Sequence, residues 1–517
     1  MLNKNTVKQN KLIVTTMEML MPQDHFLRDL DKYVDFSFIY EKVAHLYSNL
    51  GRKSVDPVVL VKMLLLGFLY GIDSERKLEK ETQVNIAFRW FLEIDLDEPV
   101  PDHSTISQTR RRKWRGSTIF EDIFTEIVQK CIDAGLVDGS LILTDSTHVK
   151  ANASSDRKET VAIQVTPREY IKKLDKLCEQ EESKIRADAV SKGKKKHGPK
   201  PNKSHKNNFI EKSTTDPDCG VLARVGKPKG FHYLNHQSVD SKSGIITDVF
   251  VSPGNVLDFE PYVDRIKYQI NKYNFRILEV GLDRGYDCTE IHKEMYDLGI
   301  KTFMPFKDME GRTSDRIYPP SVFAYDCVKD VYTCPNGFDL RYSSIDKTHH
   351  KKIYRASVTV CKICPLKKMC IGDNIKCRTL HIPFFKEEAD IQRANYGTKR
   401  YYEVQRKRRI YCEGNFALQK DNHNLRRTRK RGNERVTEHC LCSALALNLK
   451  RLVKHLKHKD YPGWIDKISK LFCELSQEHK RGFDFSSNPL LFWAFCQHAP
   501  RKNVFLKNTL VKKLKSV

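Results

Sequence analysis

The apolar positions of this chain change their period along its length. Between residues 24 and 134 they recur at helical spacing, and Val58-Val-Leu-Val-Lys-Met-Leu-Leu-Leu-Gly-Phe-Leu-Tyr70 is apolar on more than one face, interrupted by Lys62. A run this short and this broken predicts a helix buried in a core, not a membrane span. Ser74 before Glu75 predicts the capped start of a further helix. Pro99-Val-Pro-Asp-His-Ser-Thr-Ile-Ser breaks the pattern ahead of a helix carrying Arg110, Arg111, Arg112, Lys113 and Arg115. The period then shortens. Leu141-Ile-Leu runs into Thr144 and Asp145, as a buried strand emerging at a carboxylate would. The stretches 231–240 and 244–251, joined by a short turn-like link, predict a β-hairpin. A helix over 256–273 follows. A second buried strand, Arg276-Ile-Leu-Glu-Val-Gly-Leu282, ends at Asp283, with Gly285 turning the chain. A helix at 287–298 and a strand at 301–306 close this region, and helical spacing resumes over 386–420 and 436–457.

These elements predict an α/β protein: a mixed sheet flanked by helices, preceded by an all-α region and interrupted by a Cys-rich insert. The expected divisions are a helical N-terminal domain (1–135), a first α/β part (136–306), the insert (307–385), a closing part of that α/β domain (386–460) and a tail (461–517). Within the second, residues 151–212 are polar and basic. A helix is expected at 169–192, and the lysine-rich stretch from Ser191 reads as an arm reaching toward DNA.

Charge narrows the function. The 91 Lys and Arg against 65 Asp and Glu give +26, an excess that predicts a polyanionic partner, nucleic acid first. A membrane partner is not expected, because no basic amphipathic anchor is present. Residues 1–20 are polar and mixed, so no secretory leader is expected. The 15 cysteines then sit in a reducing compartment, where clusters suggest metal rather than disulfides. The spacing Cys361-x₂-Cys364-x₅-Cys370-x₆-Cys377, with Cys334 upstream, suits a zinc knuckle that would fold a segment poor in core residues.

Asp283 repeats the setting of Asp145. Adjacent strands would bring the two carboxylates together, and a divalent cation such as Mg²⁺ would relieve their repulsion. Glu413 is the candidate third acid of a two-metal site. On an unbroken helix, Arg406, Arg409 and Lys420 would share its face at offsets of −7, −4 and +7. Asp258, after Pro253-Gly-Asn-Val-Leu, is expected to cap a helix, with support of the metal-binding acids as the alternative.

The motifs Thr144-Asp-Ser-Thr-His-Val-Lys-Ala-Asn, Gly281-Leu-Asp-Arg-Gly-Tyr-Asp and Tyr411-Cys-Glu-Gly-Asn-Phe resemble those of the DDE transposases of bacterial insertion sequences. Arg429-Lys-Arg-Gly432 and Ala446-Leu-Asn-Leu-Lys-Arg451 resemble that family's closing segment. Gly51-Arg-Lys-Ser-Val-Asp-Pro57, Asp73-Ser-Glu-Arg76 and Pro101-Asp-His-Ser-Thr105 resemble its helical N-terminal domain. The resemblance covers about residues 24–457. It implies an RNase H-like catalytic domain in which Asp145, Asp283 and Glu413 bind Mg²⁺ or Mn²⁺. It implies that Arg409 and Lys420 match conserved basic positions of a subgroup, while Arg406 stands where that subgroup has tyrosine. It favours Cys334, Cys361, Cys364 and Cys370 as zinc ligands, with Cys377 the competitor of Cys334. The implied partners are transposon-end DNA with inverted repeats and target DNA, engaged by a homodimer in the bacterial cytoplasm at the nucleoid. The implied reaction cleaves transposon ends and joins them to target DNA. A catalytically silent DNA-binding relative, or a metal-dependent nuclease, is the alternative.

Overall fold

The computed structural model describes residues 14–48, 50, 54–163, 169–191, 208–222, 229–306, 318–372 and 374–460. Residues up to Val453 form one compact unit, and a second begins at Lys454. The tail from residue 461 and most of the lysine-rich stretch lie outside the described residues.

The N-terminal region is helical as its periodicity predicts. The helix Pro57–Leu69 starts at Asp56, whose side chain accepts from the Val58 amide, and proline occupies its first turn. Ten of its residues are buried. Lys62 survives there because its ammonium donates to Asp31, Glu93 and the Phe91 carbonyl, each at 3.2 Å. Among the described residues no helix is long and apolar enough to cross a membrane.

The strands, in chain order, begin with β1 (Leu141–Lys150), β2 (Lys158–Ile163), β3 (Asn208–Ser213) and β4 (Gly220–Leu222). They continue with β5 (Gly230–Asp240), β6 (Ile246–Pro253), β7 (Glu279–Gly281) and β8 (Lys301–Phe303). Six form one sheet in the order β4-β5-β1-β7-β8, with β6 also paired to β5. The pairs β1–β5, β5–β6 and β4–β5 are antiparallel; β7 and β8 run parallel to β1. The predicted hairpin and both buried strands are therefore neighbours in one sheet.

One expectation changes. β1 does not end at Asp145 but continues to Lys150, because the long strand β5 pairs with it from Ile142 to Lys150. Asp145 thus lies inside a strand, just beyond the end of the β1–β7 ladder at Leu143 and Gly281. Another lies in the basic insertion, where β2 and β3 pair into a two-stranded ribbon. The helix Glu169–Ser191 follows β2, close to its predicted bounds.

The Cys-rich insert holds a five-stranded antiparallel sheet that periodicity did not indicate. It comprises β9 (Ala324–Asp326), β10 (Val331–Thr333), β11 (Asp339–Asp346), β12 (Lys351–Arg355) and β13 (Thr379–Pro383). Phe323, Tyr332, Leu340, Tyr354, Leu380 and Ile382 form its small core.

The predicted helix over 386–420 is broken. Lys386–Arg393 ends before Gly397, whose φ of 73° is left-handed, and Thr398 caps the next helix through the Tyr401 amide. That helix, Lys399–Arg408, passes through a π-helical turn at Arg409–Glu413 into Gly414–Asn422. The helix Asn433–Asp460 follows.

Candidate active site

The site assembles where the helical stretch 399–422 crosses one face of the central sheet. Gly281 makes the crossing possible. A Cβ there would meet Val404 Cγ1 at 2.6 Å, so the helix seats against β7 at glycine distance. Gln405 then donates to the carbonyls of Leu282 and Phe303, at 2.9 and 2.8 Å. This closes the carboxyl ends of β7 and β8. Further along, Gln419 and Gln237 exchange amide hydrogen bonds at 2.9 and 3.0 Å, and Lys420 donates to Thr147 at 2.6 Å. Asp145 faces Gln237 across the β1–β5 ladder, and Thr147 lies two residues along the same face.

Asp145 and Asp283 hold the same register. Leu141 pairs with Glu279, Ile142 with Val280 and Leu143 with Gly281 in the parallel ladder; two residues further on come Asp145 and Asp283. Asp145 is fixed by the Ser146 amide, which donates to Oδ1 at 2.8 Å. Asp283 is fixed by the Gly285 amide at 2.7 Å. Burial pushes the Asp145 carboxyl up to about 6; Arg408 opposes the rise, and Asp283 and Glu413 add to it. Burial likewise raises Asp283, with Asp258 adding to the rise. Two acids both raised by desolvation, each with a further carboxylate adding to the rise, mark a site suited to a cation.

Glu413 enters this cluster through Arg408. Arg408 Nη1 donates to Asp145 Oδ2 at 2.9 Å, Nη2 to Glu413 Oε1 at 3.4 Å, and Nε to Gln405 at 3.2 Å. On an α-helix, residues five apart point about 140° away from each other. The π turn closes i to i+5 instead, which brings Arg408 beside Glu413. The same turn shifts the frame of everything before it, so Arg406 and Arg409 are exposed and Arg408 reaches the acids. Sequence reasoning missed Arg408, because no residue pattern marks a π turn.

The three carboxylates do not close to within 4.8 Å of one another as a set. Among the described residues, Glu79, Asp102 and His103 meet that spacing. There, Glu79 accepts from the His103 amide and ring, and Arg76 donates to the other ring nitrogen.

Other expected residues have different surroundings. Asp258 accepts from Ser146 Oγ at 2.9 Å and lies beside the turn after Asp283, its Oδ2 3.6 Å from where a Cβ on Gly285 would stand. The helix after it begins at Tyr262, with Pro261 as an N-cap that makes no side-chain bond. Arg110 is mostly buried, between Glu75 at 3.0 Å and Glu438 at 2.5 Å. Arg111 and Arg112 are exposed on the same helix. Arg429 pairs with Asp73 and Lys430 with Glu75, so the N-terminal and closing motifs bind each other.

In the insert, Cys334, Cys361 and Cys370 pack against the small core. The Cys370 thiol is raised by burial, with Arg378 opposing and Cys361, Cys334 and Cys364 adding to the rise. The four thiols lie in one neighbourhood, but no three of their Sγ atoms fall within 4.8 Å of one another. Cys377 is buried separately, at 5% exposure.

Residues 15–112 match a transposase domain (DUF772), and residues 333–453 match a transposase DDE domain. No curated relative matches the chain. Among solved structures, a piggyBac transposase synaptic complex with hairpin DNA aligns at 9% identity, covering 84% of this chain and 73% of that one, with a TM-score of 0.32. A pre-cleavage Mos1 transpososome aligns at 7% identity over 50% of this chain and 60% of that one, with a TM-score of 0.14. The Mos1 mariner paired-end complex with Mn aligns at 10% identity over 55% and 70%, with a TM-score of 0.15. These superpositions are too loose to assign a shared fold.

Proposed function

From a chain that carries a transposase domain and a transposase DDE domain, we propose a DNA transposase that cleaves transposon ends and joins them to target DNA. The observation that carries the catalytic reading is the common register of Asp145 and Asp283, with Glu413 joined to Asp145 through Arg408. We read the central sheet as RNase H-like. Three antiparallel strands, β1, β5 and β6, are extended by β7 and β8 running parallel to β1, which places both aspartates at one end of the parallel pair.

Asp145, Asp283 and Glu413 offer hard oxygen donors suited to Mg²⁺ or Mn²⁺. Such ions, when bound, supply Lewis-acid activation of the nucleophile and leaving oxygen in phosphodiester chemistry. The chain's own residues then have distinct tasks. Gln405 and the Gly281–Val404 contact hold the Glu413 segment over the aspartates. Lys420 is fixed by Thr147, two residues along β1 from Asp145, where it can meet a phosphate. Arg406, Arg409, Arg111 and Arg112 are exposed cations for the backbone of transposon-end DNA. Hydrolysis frees a 3′-hydroxyl, which serves as nucleophile for joining to target DNA. No protein nucleophile is required. Two copies acting on paired ends complete the reading.

For the insert, we read Cys334, Cys361, Cys364 and Cys370 as the ligands of a structural Zn²⁺, supported by the packing of Cys334, Cys361 and Cys370 against one small core. Zinc bound there would tie the helices of the insert to its sheet.

Purified protein incubated with Mg²⁺ and DNA bearing the element's inverted repeats tests the reading. End cleavage followed by strand joining supports it. Cleavage without joining would indicate a nuclease, and binding without cleavage a silent relative.

A further inference from the structure

We propose that Arg408 is a built-in counter-cation that occupies the catalytic acids before metal loading and must be displaced by the divalent ion. The inference rests on the metal reading above.

Each guanidinium nitrogen has its own acceptor: Gln405 Oε1 at 3.2 Å, Asp145 Oδ2 at 2.9 Å and Glu413 Oε1 at 3.4 Å. The other Asp145 oxygen accepts from the Ser146 amide. Arg408 therefore holds the Asp145 oxygen that the backbone does not, and a cation bridging Asp145 and Glu413 through that oxygen must displace it. Arginine cannot relieve the conflict by losing its proton. It must move. Its side chain is 13% exposed and Glu413 is 55% exposed, so the way out is toward solvent on the side of Glu413. Arg406, Lys407 and Arg409 flank it on the helix, so the surface that receives Arg408 is already cationic and calls for a polyanion. DNA phosphate would stabilise the displaced arginine. DNA and divalent ion should then bind with positive cooperativity, each raising the affinity of the other.

The test is Mn²⁺ binding to the full chain, by calorimetry and electron paramagnetic resonance, without DNA. Arg408→Gln should bind Mn²⁺ roughly tenfold more tightly than wild type, the scale of one charge-assisted hydrogen bond removed. Arg408→Lys should stay near wild type. A residue that merely props up the site would shift affinity the other way, so unchanged or weaker binding by Arg408→Gln overturns the inference. Wild-type protein that binds no Mn²⁺ overturns the metal reading along with it. A crystal structure of wild-type protein with Mn²⁺ is the check independent of variants. Arg408 turned away from Asp145 supports displacement, and Arg408 still bonded to Asp145 beside a bound ion contradicts it.

Discussion

Gly281 and Val404 meet where a side chain of any size would keep them apart: a Cβ on Gly281 would lie 2.6 Å from Val404 Cγ1 and 2.7 Å from Leu143 Cδ2. The contact sets the height of the helix Lys399–Arg408 over β7, and so the distance between the segment bearing Glu413 and the strand leading to Asp283. Gly281→Ala should destabilise the fold by about 1–3 kcal/mol through overpacking. It should also reduce DNA cleavage more than DNA binding. Adding Val404→Ala should recover much of both losses. Denaturant unfolding and cleavage assays on the single and double variants measure this; no recovery in the pair would place the role of Gly281 elsewhere.

Burial holds Asp145 at about 6 in the folded chain, against roughly 4 when unfolded. The folded state binds that proton more tightly, so stability falls as pH rises from about 4 through 6. Without divalent cation, Asp145→Asn should be more stable than wild type at pH 7.5, by at most about 3 kcal/mol. The advantage should vanish near pH 4. Urea unfolding at the two pH values decides, and a variant less stable at pH 7.5 would show that the Arg408 pair outweighs the burial of the carboxylate.

Three arginines adjacent in sequence should behave differently. Arg110 is 12% exposed and sits between Glu75 and Glu438. Arg110→Ala leaves Glu438 without its cation, and Glu75 with Lys430 alone, and should cost about 3–5 kcal/mol of stability. Arg111→Ala and Arg112→Ala should leave stability nearly unchanged and lower DNA affinity, with a shallower dependence on salt. Thermal unfolding and binding over a salt series separate the two effects.

The insert should hold about one zinc per chain. Cys364→Ser should release it, whereas Cys377→Ser should retain it, because Cys334, Cys361 and Cys370 pack against one small core that does not include Cys377. Metal analysis of the purified variants tests this, and zinc lost equally from both would reopen the choice of ligands.

Much of this arrangement was legible in the chain. Asp145 and Asp283 could be found because each follows a short apolar run, and such runs become neighbouring strands. The buried helix around Lys62 and the hairpin of β5 and β6 were legible from period alone. The insert's sheet was not, because its strands are short or mostly exposed; β11 buries Leu340 among polar residues that carry no alternation. Arg408 was hidden for a different reason. Helical offsets count every residue as 100°, and the π turn at Arg409–Glu413 breaks that count. The ion pairs of Arg110, Arg429 and Lys430 join segments more than 300 residues apart, which local pattern does not reveal.

The central claim is that Asp145, Asp283 and Glu413 form one catalytic centre. Glu413 is the decisive residue: it is the most exposed of the three and lies on a separate segment. The direct measurement is Mg²⁺-dependent cleavage of inverted-repeat DNA by wild type and by Glu413→Gln, with DNA affinity measured on the same preparations. The account predicts cleavage reduced to background in the variant while affinity stays within a few-fold of wild type. Full cleavage by Glu413→Gln would contradict it.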